Sequence, residues 1–543
     1  MNNIYKLLSG NVPGGLFVLV FLLVIVNLIS YFLFKKSELF DRSVYKKRTI
    51  QLNLFIFFIY FFVWFLLQPA QLPKTVLVQP FQNGDSIDFT VSEMIERNLS
   101  GNLSPKFRLH PWEWFYLTAE KDSIYLPFYR KSLASRLKID VVISGQIRSS
   151  NSDLKVDLAI KYLDKAITFD CSGATYPVVL QEIIRQIGMQ TNILRKGVSQ
   201  GSEDGQYNFK TLTQAKLAYL NKNFDLTLKL LNDDSLYLAR IIRSRVYLKK
   251  ALDQKEVKTL SGTTADTEEN PFYRQIEQLL LPYSIKGMDT AEINFILGQM
   301  YLYRGDYETA NICLKKAVSQ NPYDARLFYY LSFLNVERLK EMRYTDRNDI
   351  LRHAVRLDPG YSECVLRLAN DIYNRGSGTS VARTTYEAIE VMEDYLKINS
   401  STVPILKLLG KIYVQISDTP HAESLFKKVI ALEPDTADNY YDLGVCYFNN
   451  KQYEQSKKFF ERAIQMNDHR ESYLYLGAVY WMQGDLEKSL YYYRERIKRK
   501  INDDDYYALE AMRGVRLILE RQSADSSGNK SQDSVRTPSL LHQ

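Results

Sequence analysis

Two long apolar runs open the chain, and periodic apolar spacing fills the rest. Residues 14–34 contain Leu-Phe-Val-Leu-Val-Phe-Leu-Leu-Val-Ile-Val without a charge, and residues 49–68 contain Leu-Phe-Ile-Phe-Phe-Ile-Tyr-Phe-Phe-Val-Trp-Phe-Leu-Leu. Each run is about 20 residues long, which at 1.5 Å rise per residue spans roughly 30 Å of hydrocarbon. The pattern predicts two transmembrane helices joined by a link at 35–48, a hairpin over 14–70. A cleaved signal peptide fits less well, because Lys6 is alone in the amino-terminal flank and a second run follows at once.

Residues 71–200 change rhythm. Residues 75–81 form a short apolar run that ends in Gln82-Asn83-Gly84-Asp85, the signature of a buried strand and a turn. Val91, Met94, Ile95 and Leu99 share one helix face. Residues 140–147 read as a second buried strand. Residues 154–162 alternate as a half-exposed strand, with 166–171 as its hairpin partner. A helix is expected over 176–194, giving a small α/β layer domain. Residues 207–290 then show helical spacing, as in Leu217, Leu220, Phe224, Leu228 and Leu231, and 261–270 reads as an exposed loop.

From residue 291 one pattern recurs. It reads Asn294-x2-Leu297-Gly298-x2-Tyr301, then Leu406-x2-Leu409-Gly410-x2-Tyr413, then Tyr440-x2-Leu443-Gly444-x2-Tyr447, then Tyr473-x2-Leu476-Gly477-x2-Tyr480. The small anchor falls at Gly298, Ser332, Ala369, Gly410, Gly444 and Gly477, at intervals of 34, 37, 41, 34 and 33 residues. The long intervals place insertions near 342–349 and at 376–380. A small residue there lets two helices approach, and large residues at positions four, seven and eleven fill the space between them. This closely resembles the tetratricopeptide repeat family, helix-turn-helix units that stack into a solenoid. The resemblance implies an all-α array over 291–502, with 207–290 as degenerate repeats. Residues 503–522 follow as a capping helix whose acidic start suits the helix dipole. Residues 523–543, rich in Ser, read as a disordered tail.

The fold class expected is therefore multi-domain: two transmembrane helices, a small α/β domain and an all-α tetratricopeptide repeat solenoid. The strands Val76-Leu77-Val78-Gln79-Pro80-Phe81 and Asp140-Val141-Val142-Ile143-Ser144-Gly145-Gln146-Ile147 resemble the amino-terminal domain of TolB. That resemblance implies a binding or assembly module at 71–200.

Charge adds orientation. The link carries Lys35, Lys36, Arg42, Lys46, Lys47 and Arg48, so the positive-inside rule places it in the cytoplasm and the larger part of the chain in the periplasm. The expected location is a two-pass bacterial inner membrane protein. The net charge of +8 is mild, and the group Arg494, Arg496, Lys498, Arg499, Lys500 suits a helix end better than nucleic acid. Cys171, Cys313, Cys364 and Cys446 show no CxxC pairing and are expected as buried thiols. The absence of a disulfide framework weighs modestly against the periplasm.

Chemistry-bearing motifs are missing. There is no Walker A loop, HExxH or GxSxG, and the five histidines lie at no metal-ligand spacing. His110 with Glu113 is read as packing with Trp112 and Trp114. No catalytic residue, metal or cofactor is implied, and the expectation is a non-enzyme.

In the repeat family the first helix of each unit lines a concave groove. The resemblance carries that groove onto Phe295, Gln299, Tyr303, Lys407, Lys411, Gln415, Tyr441, Phe448, Asn449, Leu474, Trp481 and Met482. Exposed aromatics among Lys, Gln and Asn suit an extended peptide or a helix. The alternative is that some of them pack on an insertion or a neighbouring domain. The expected partners are proteins or peptides in the groove, lipid bilayer around the hairpin and no nucleic acid. A membrane-embedded subunit is a further possible partner. The leading functional reading is a membrane-anchored scaffold for a cell-envelope, secretion or polysaccharide-export complex. The alternative is a membrane-bound signalling or regulatory protein that senses a ligand or partner.

Overall fold

In a computed structural model of the chain, short strands around residue 141 organise the first module. The structure describes residues 73–110 except 80, 84, 85, 89 and 105; 139–149; 154–162; 166–173; 176–194 except 192; 209–231; 237–260; 270–376 except 288; and 381–526. From Lys74 onward the chain forms one compact unit.

The module begins with β1 (Lys74–Val78), β2 (Phe81–Asn83), β3 (Ser86–Asp88), α1 (Thr90–Asn102) and β4 (Phe107–His110). It continues with β5 (Val141–Ser149), β6 (Leu154–Tyr162), β7 (Ala166–Gly173) and α2 (Tyr176–Gln190). β1 and β2 pair in succession, both parallel, with β5, in the registers Val76↔Val141 and Asn83↔Ile147. β4 runs parallel to β1, and β5, β6 and β7 form an antiparallel meander. Alternation in β6 sends Val156, Leu158 and Ile160 into a core with Ile95, Leu99, Ile183 and Ile187. Gly145 is required where it stands, since a Cβ there would lie 2.5 Å from the Phe81 ring.

The helices that follow are paired. They are α3 (Phe209–Leu220), α4 (Phe224–Leu230), α5 (Tyr237–Leu260), α6 (Pro271–Ile285), α7 (Ala291–Arg304) and α8 (Tyr307–Gln320). Then come α9 (Ala325–Leu331), α10 (Val336–Glu341), α11 (Arg347–Leu357), α12 (Ser362–Asn374) and α13 (Val381–Leu396). The last are α14 (Val403–Gln415), α15 (Thr419–Leu432), α16 (Ala437–Asn449), α17 (Tyr453–Asn467), α18 (Arg470–Met482), α19 (Leu486–Lys498) and α20 (Tyr506–Ser526).

Local chemistry sets the hairpins. Thr290, Asp306 and Asp485 cap α7, α8 and α19 by accepting backbone N–H bonds from Ile293, Thr309 and Lys488. The turn inside each hairpin needs one left-handed residue. Gly305 and Gly484 supply it at φ 90° and 81°, whereas Lys222, Ser417 and Lys451 adopt it at 58°, 62° and 60°. Lys222 stands in the α3–α4 turn as Lys451 stands in the α16–α17 turn, so 209–230 is built as a hairpin of the same kind. Close approach explains the anchors. A Cβ on Gly298, Gly410, Gly444 or Gly477 would lie 2.5–2.8 Å from Leu314, Phe426, Phe460 or Tyr493.

One unit departs from the pattern. Its first helix, α9, stops at Leu331, where Arg347 Nε donates to the Ser332 carbonyl at 2.9 Å. The short α10 then fills the space before the second helix, α11.

Among the described residues, two polar contacts join the α/β module to the helical array. Lys216 of α3 pairs with the buried Glu93 of α1 at 2.7 Å. Arg108 of β4 donates to Thr75 Oγ1 and, 249 residues along the chain, to the Leu357 carbonyl, each at 2.9 Å.

The fold class expected from the sequence requires correction. Among the described residues no helix is long and apolar enough to cross a membrane. The longest, α5, carries Arg240, Arg243, Arg245, Lys249 and Lys250; α20 carries Glu510, Arg513, Arg516 and Glu520. Placing such a charge at the centre of hydrocarbon costs about 2.5–3.5 kcal/mol each. The spans expected at 14–34 and 49–68, and their link at 35–48, lie outside the described residues. What the structure supports is a mostly helical repeat solenoid with a small α/β region. It does not support two transmembrane helices, and the expected two-pass inner membrane location with a periplasmic carboxy-terminal part falls with them.

Candidate functional site

Successive first helices touch one another: α12 meets α14, α14 meets α16, and α16 meets α18. Their shared face carries the residues expected to bind, and it divides into two patches.

The first patch spans α7, α9 and α12. Phe295 is buried, edge-on to Tyr330 at 5.4 Å between centroids, with the Arg326 guanidinium 5.1 Å from its ring. Gln299 and Tyr303 are half-buried. The early end of α9 turns Phe333 onto Tyr329 and Tyr330, at 5.3 and 5.9 Å. Arg367 lies 3.5 Å from the Phe333 centroid, close enough for a cation–π contact. Burial, reinforced by Tyr303, pushes the Tyr330 hydroxyl well above the ordinary phenol range. Tyr329, Phe333 and Arg367 were not picked out from the sequence. Tyr329 and Phe333 belong to the unit at 325–361 and Arg367 to that at 362–402, and both units match the repeat pattern poorly outside the first helix.

The second patch lies between α14 and α16. Lys407 Nζ donates to Asn439 Oδ1 at 3.1 Å and stands 3.2 Å from Asp442 Oδ2. Lys411 Nζ stands 3.4 Å from Asp442 Oδ1. Two ammonium groups thus share one buried carboxylate, and the Lys411 side chain remains 57% exposed. Gln415 and Asn449 are exposed on the same face. Asp442 and Asn439 were not named from sequence either, although both lie on the helix that carries Tyr441.

The aromatic positions expected to face a partner are placed differently. Tyr441 is half-buried, its ring 4.6 Å from His469 and 5.6 Å from Tyr475. Burial, with Tyr475 and then Tyr507 beside it, pushes the Tyr441 hydroxyl far up. Burial and Tyr507 push the Tyr475 hydroxyl up to about 12. Phe448 is buried edge-on to Tyr475 at 5.4 Å. Leu474 and Trp481 are buried with Tyr493, Ala511 and Ile518, under the closing helix α20. Met482 is exposed. The exposed part of the expected set is thus Lys411, Gln415, Asn449 and Met482, with Gln299, Tyr303, Lys407 and Tyr441 half-buried. Of these, Lys411, Gln415 and Asn449 offer polar groups to solvent on the α14–α16 patch.

Comparison with known proteins bears on the repeats. Tetratricopeptide repeat family models match residues 291–324 and 435–501, and these segments are tetratricopeptide repeats. The BBSome complex member BBS4 of Mus musculus is 23% identical over 112 residues, 21% of this chain and 22% of that protein. The same protein of Bos taurus is 24% identical over 89 residues, 16% of this chain and 17% of that one. The chain therefore spans about a fifth of the length of these curated relatives. Among solved structures, PilW, a type IV pilus biogenesis factor, is 13% identical, covering 42% of this chain and 98% of its own with TM-score 0.32. YrrB, a tetratricopeptide repeat protein with an unusual peptide-binding site, is 18% identical, covering 37% and 97% with TM-score 0.29. A thermophilic repeat protein of Thermus thermophilus is 18% identical, covering 38% and 98% with TM-score 0.26.

Proposed function

With tetratricopeptide repeats at 291–324 and 435–501 as the premise, we propose that this chain is a protein-interaction scaffold. Such repeats bind proteins or peptides, and the fold is generally non-catalytic. The first-helix face holds an extended, acidic segment of a partner, and the seat is the α14–α16 patch.

The observation that carries this reading is the sharing of Asp442 by Lys407 and Lys411. One carboxylate against two ammonium groups leaves a surplus positive charge beside exposed amides. A partner carboxylate accepts from Lys411 without displacing the buried pair, because Lys407 stays held by Asn439 and Asp442. The setting we propose is assembly of a multiprotein complex, with cell-envelope assembly as its finer form. The α/β module, with its TolB-like strands, is in this reading a second assembly surface.

The test is site-specific photo-crosslinking in cells. A photoreactive residue at Gln415 or Asn449 is expected to trap a protein partner, and Lys411→Glu in the same chain to reduce that adduct strongly. A photoreactive residue at Ile312, exposed on the second helix α8, is the control. Equal adducts at all three positions, unmoved by Lys411→Glu, would overturn the assignment.

A further inference from the structure

Arg367 of α12 is a cation without a counter-ion. Among the described residues no carboxylate comes within 4.0 Å of its guanidinium nitrogens. Its Nε–H is shut away from solvent and meets no hydrogen-bond acceptor, while the two terminal nitrogens stay at the surface of this half-buried side chain. Asp371, one turn further along α12, stands 3.9 Å from Arg347 Nη1 instead, and its Oδ2 accepts no hydrogen bond. Two guanidinium groups thus flank one carboxylate. Burial pulls the Arg367 pKa below the usual guanidinium value; Asp371 and Tyr329 oppose this, and Arg347 adds to it. A buried donor left without a partner is costly and calls for an explanation.

The setting of this cation is the groove. Phe333, 36% exposed, holds the guanidinium carbon 3.5 Å from its ring centroid. An arginine stacked on a ring keeps its terminal N–H fork for a carboxylate, which it binds bidentately. Tyr329 and Phe333 stand three before and one after the anchor Ser332, as Lys407 and Lys411 stand about Gly410. α12 meets α14, so Arg367 lies one first helix from Lys411. Adjacent helices pack about 8–10 Å apart. An extended chain rises about 3.3 Å per residue, so two carboxylates about three residues apart reach both cations. On the reading of the α14–α16 patch as an acidic seat, we infer that Arg367 is a second carboxylate subsite. It takes an acidic side chain about three residues from the one that Lys411 takes. Charge selects this occupant. Arg347 and Arg367 outnumber Asp371 as Lys407 and Lys411 outnumber Asp442. A segment with two spaced acids matches both surpluses, and a basic one is repelled.

The experiment measures fluorescence anisotropy of the full-length chain with synthetic peptides that carry an uncharged dye. Both peptide ends are blocked, so that side chains supply the only carboxylates. One peptide has two Glu about three residues apart in a Ser-Pro background that keeps it extended. The others have either Glu, or both, replaced by Gln. The two-acid peptide is expected to bind about tenfold more tightly than either one-acid peptide. Arg367→Gln should erase that advantage and leave one-acid binding intact. Arg367→Lys should restore only part of it, because an ammonium lacks the fork. A chain with Arg367→Gln and native helix content that still prefers two acids tenfold would overturn the proposal. So would equal weakening of every peptide, the mark of an arginine that only props Phe333. If the second acid adds nothing while Lys411→Gln abolishes one-acid binding, the Arg367 subsite falls and the α14–α16 seat stands. Binding that ignores Glu altogether would sink both.

Discussion

Arg496 Nη2 lies 2.7 Å from Asp505 Oδ1 and 2.9 Å from Asp505 Oδ2, and both side chains are almost wholly withdrawn from solvent. Asp505 also accepts the backbone N–H bonds of Ala508 and Ile501, so one carboxylate caps α20 and pins it to α19. Burial alone would raise the Asp505 pKa, but the bonds from Arg496 and these amides hold it below the usual carboxylate range.

Asp505→Ala leaves the buried Arg496 guanidinium with Glu471, at 4.0 Å, as its remaining carboxylate partner, and the expected loss is about 3 kcal/mol in the stability of the terminal repeat. Hydrogen exchange should show α20 opening while α7 and α14 keep their protection. Arg496→Met with Asp505→Leu should recover only part of the loss, because an apolar pair removes the desolvation cost but leaves the Ala508 and Ile501 amides without their cap. The pH dependence has a definite sign. A depressed carboxylate stabilises the fold above its unfolded value near 4 and stops doing so as pH falls through its folded pKa, so the cap should loosen in acid.

Gly477 and Gly514 sit on either side of Tyr493, each with room for no Cβ. Gly477→Ala should destabilise by about 1–3 kcal/mol through overpacking. Combined with Tyr493→Leu the penalty should be smaller than the sum of the two single changes, in a double-mutant cycle by denaturant titration. Strict additivity would mean that the two side chains do not meet.

Lys451 adopts φ 60° in the α16–α17 turn, where Gly484 stands in the next unit at φ 81°. Lys451→Gly relieves a left-handed side chain and should stabilise the chain by about 0.5–1 kcal/mol, after the entropy cost of glycine. A lowered melting temperature would contradict this.

Phe448 and Trp481 lie on the expected binding face but are buried. Phe448→Ala and Trp481→Ala should each cost about 3–5 kcal/mol of stability. Asn449→Ala should leave stability within about 0.5 kcal/mol of the parent and change partner capture instead, whereas Lys411→Glu also sets a second carboxylate beside the buried Asp442 and should lower stability as well as capture. A test that replaced Tyr441, Phe448 and Trp481 together would confuse unfolding with lost binding.

The four thiols are free, with Cys171, Cys364 and Cys446 buried and Cys313 half-buried. Burial pushes the Cys313 and Cys446 thiols up to about 11, and Cys171 up to about 12. Thiol reagents at pH 8 should label the native chain slowly and the denatured chain fully. The neutral thiols contribute stability below the unfolded value near 8.5, and that contribution fades as pH rises through 11. Alkaline unfolding should therefore set in where native labelling accelerates.

Much of the repeat was legible because its information is local. The anchors Gly298, Gly410, Gly444 and Gly477 each precede their packing partner, Leu314, Phe426, Phe460 or Tyr493, by 16 residues. A glycine, a capping residue and an apolar side chain at fixed spacing define a helix pair wherever they recur. The strands were partly legible for the same reason, since Val156, Leu158 and Ile160 alternate. Phe107–His110 was missed, because a four-residue edge strand has too few positions to show a period.

The binding face was harder to read. The repeat position identified which residues lie on it but not how deeply each sits. Trp481 occupies such a position and is covered by α20, while Lys411 occupies another and is open. The apolar runs at 14–34 and 49–68 were plain in the sequence, but a run of apolar residues states a cost of exposure to water and not what relieves it.

The sequence by itself determined the helix pairs, their period and the close contacts inside each pair. Those depend on side chains within one or two turns or one hairpin. Only the tertiary structure decided which face stays open, where Arg108 meets the Leu357 carbonyl, and that Asp505 closes the array. Each of these depends on how successive hairpins stack, and that geometry comes from every interface along the array together rather than from any single stretch of residues.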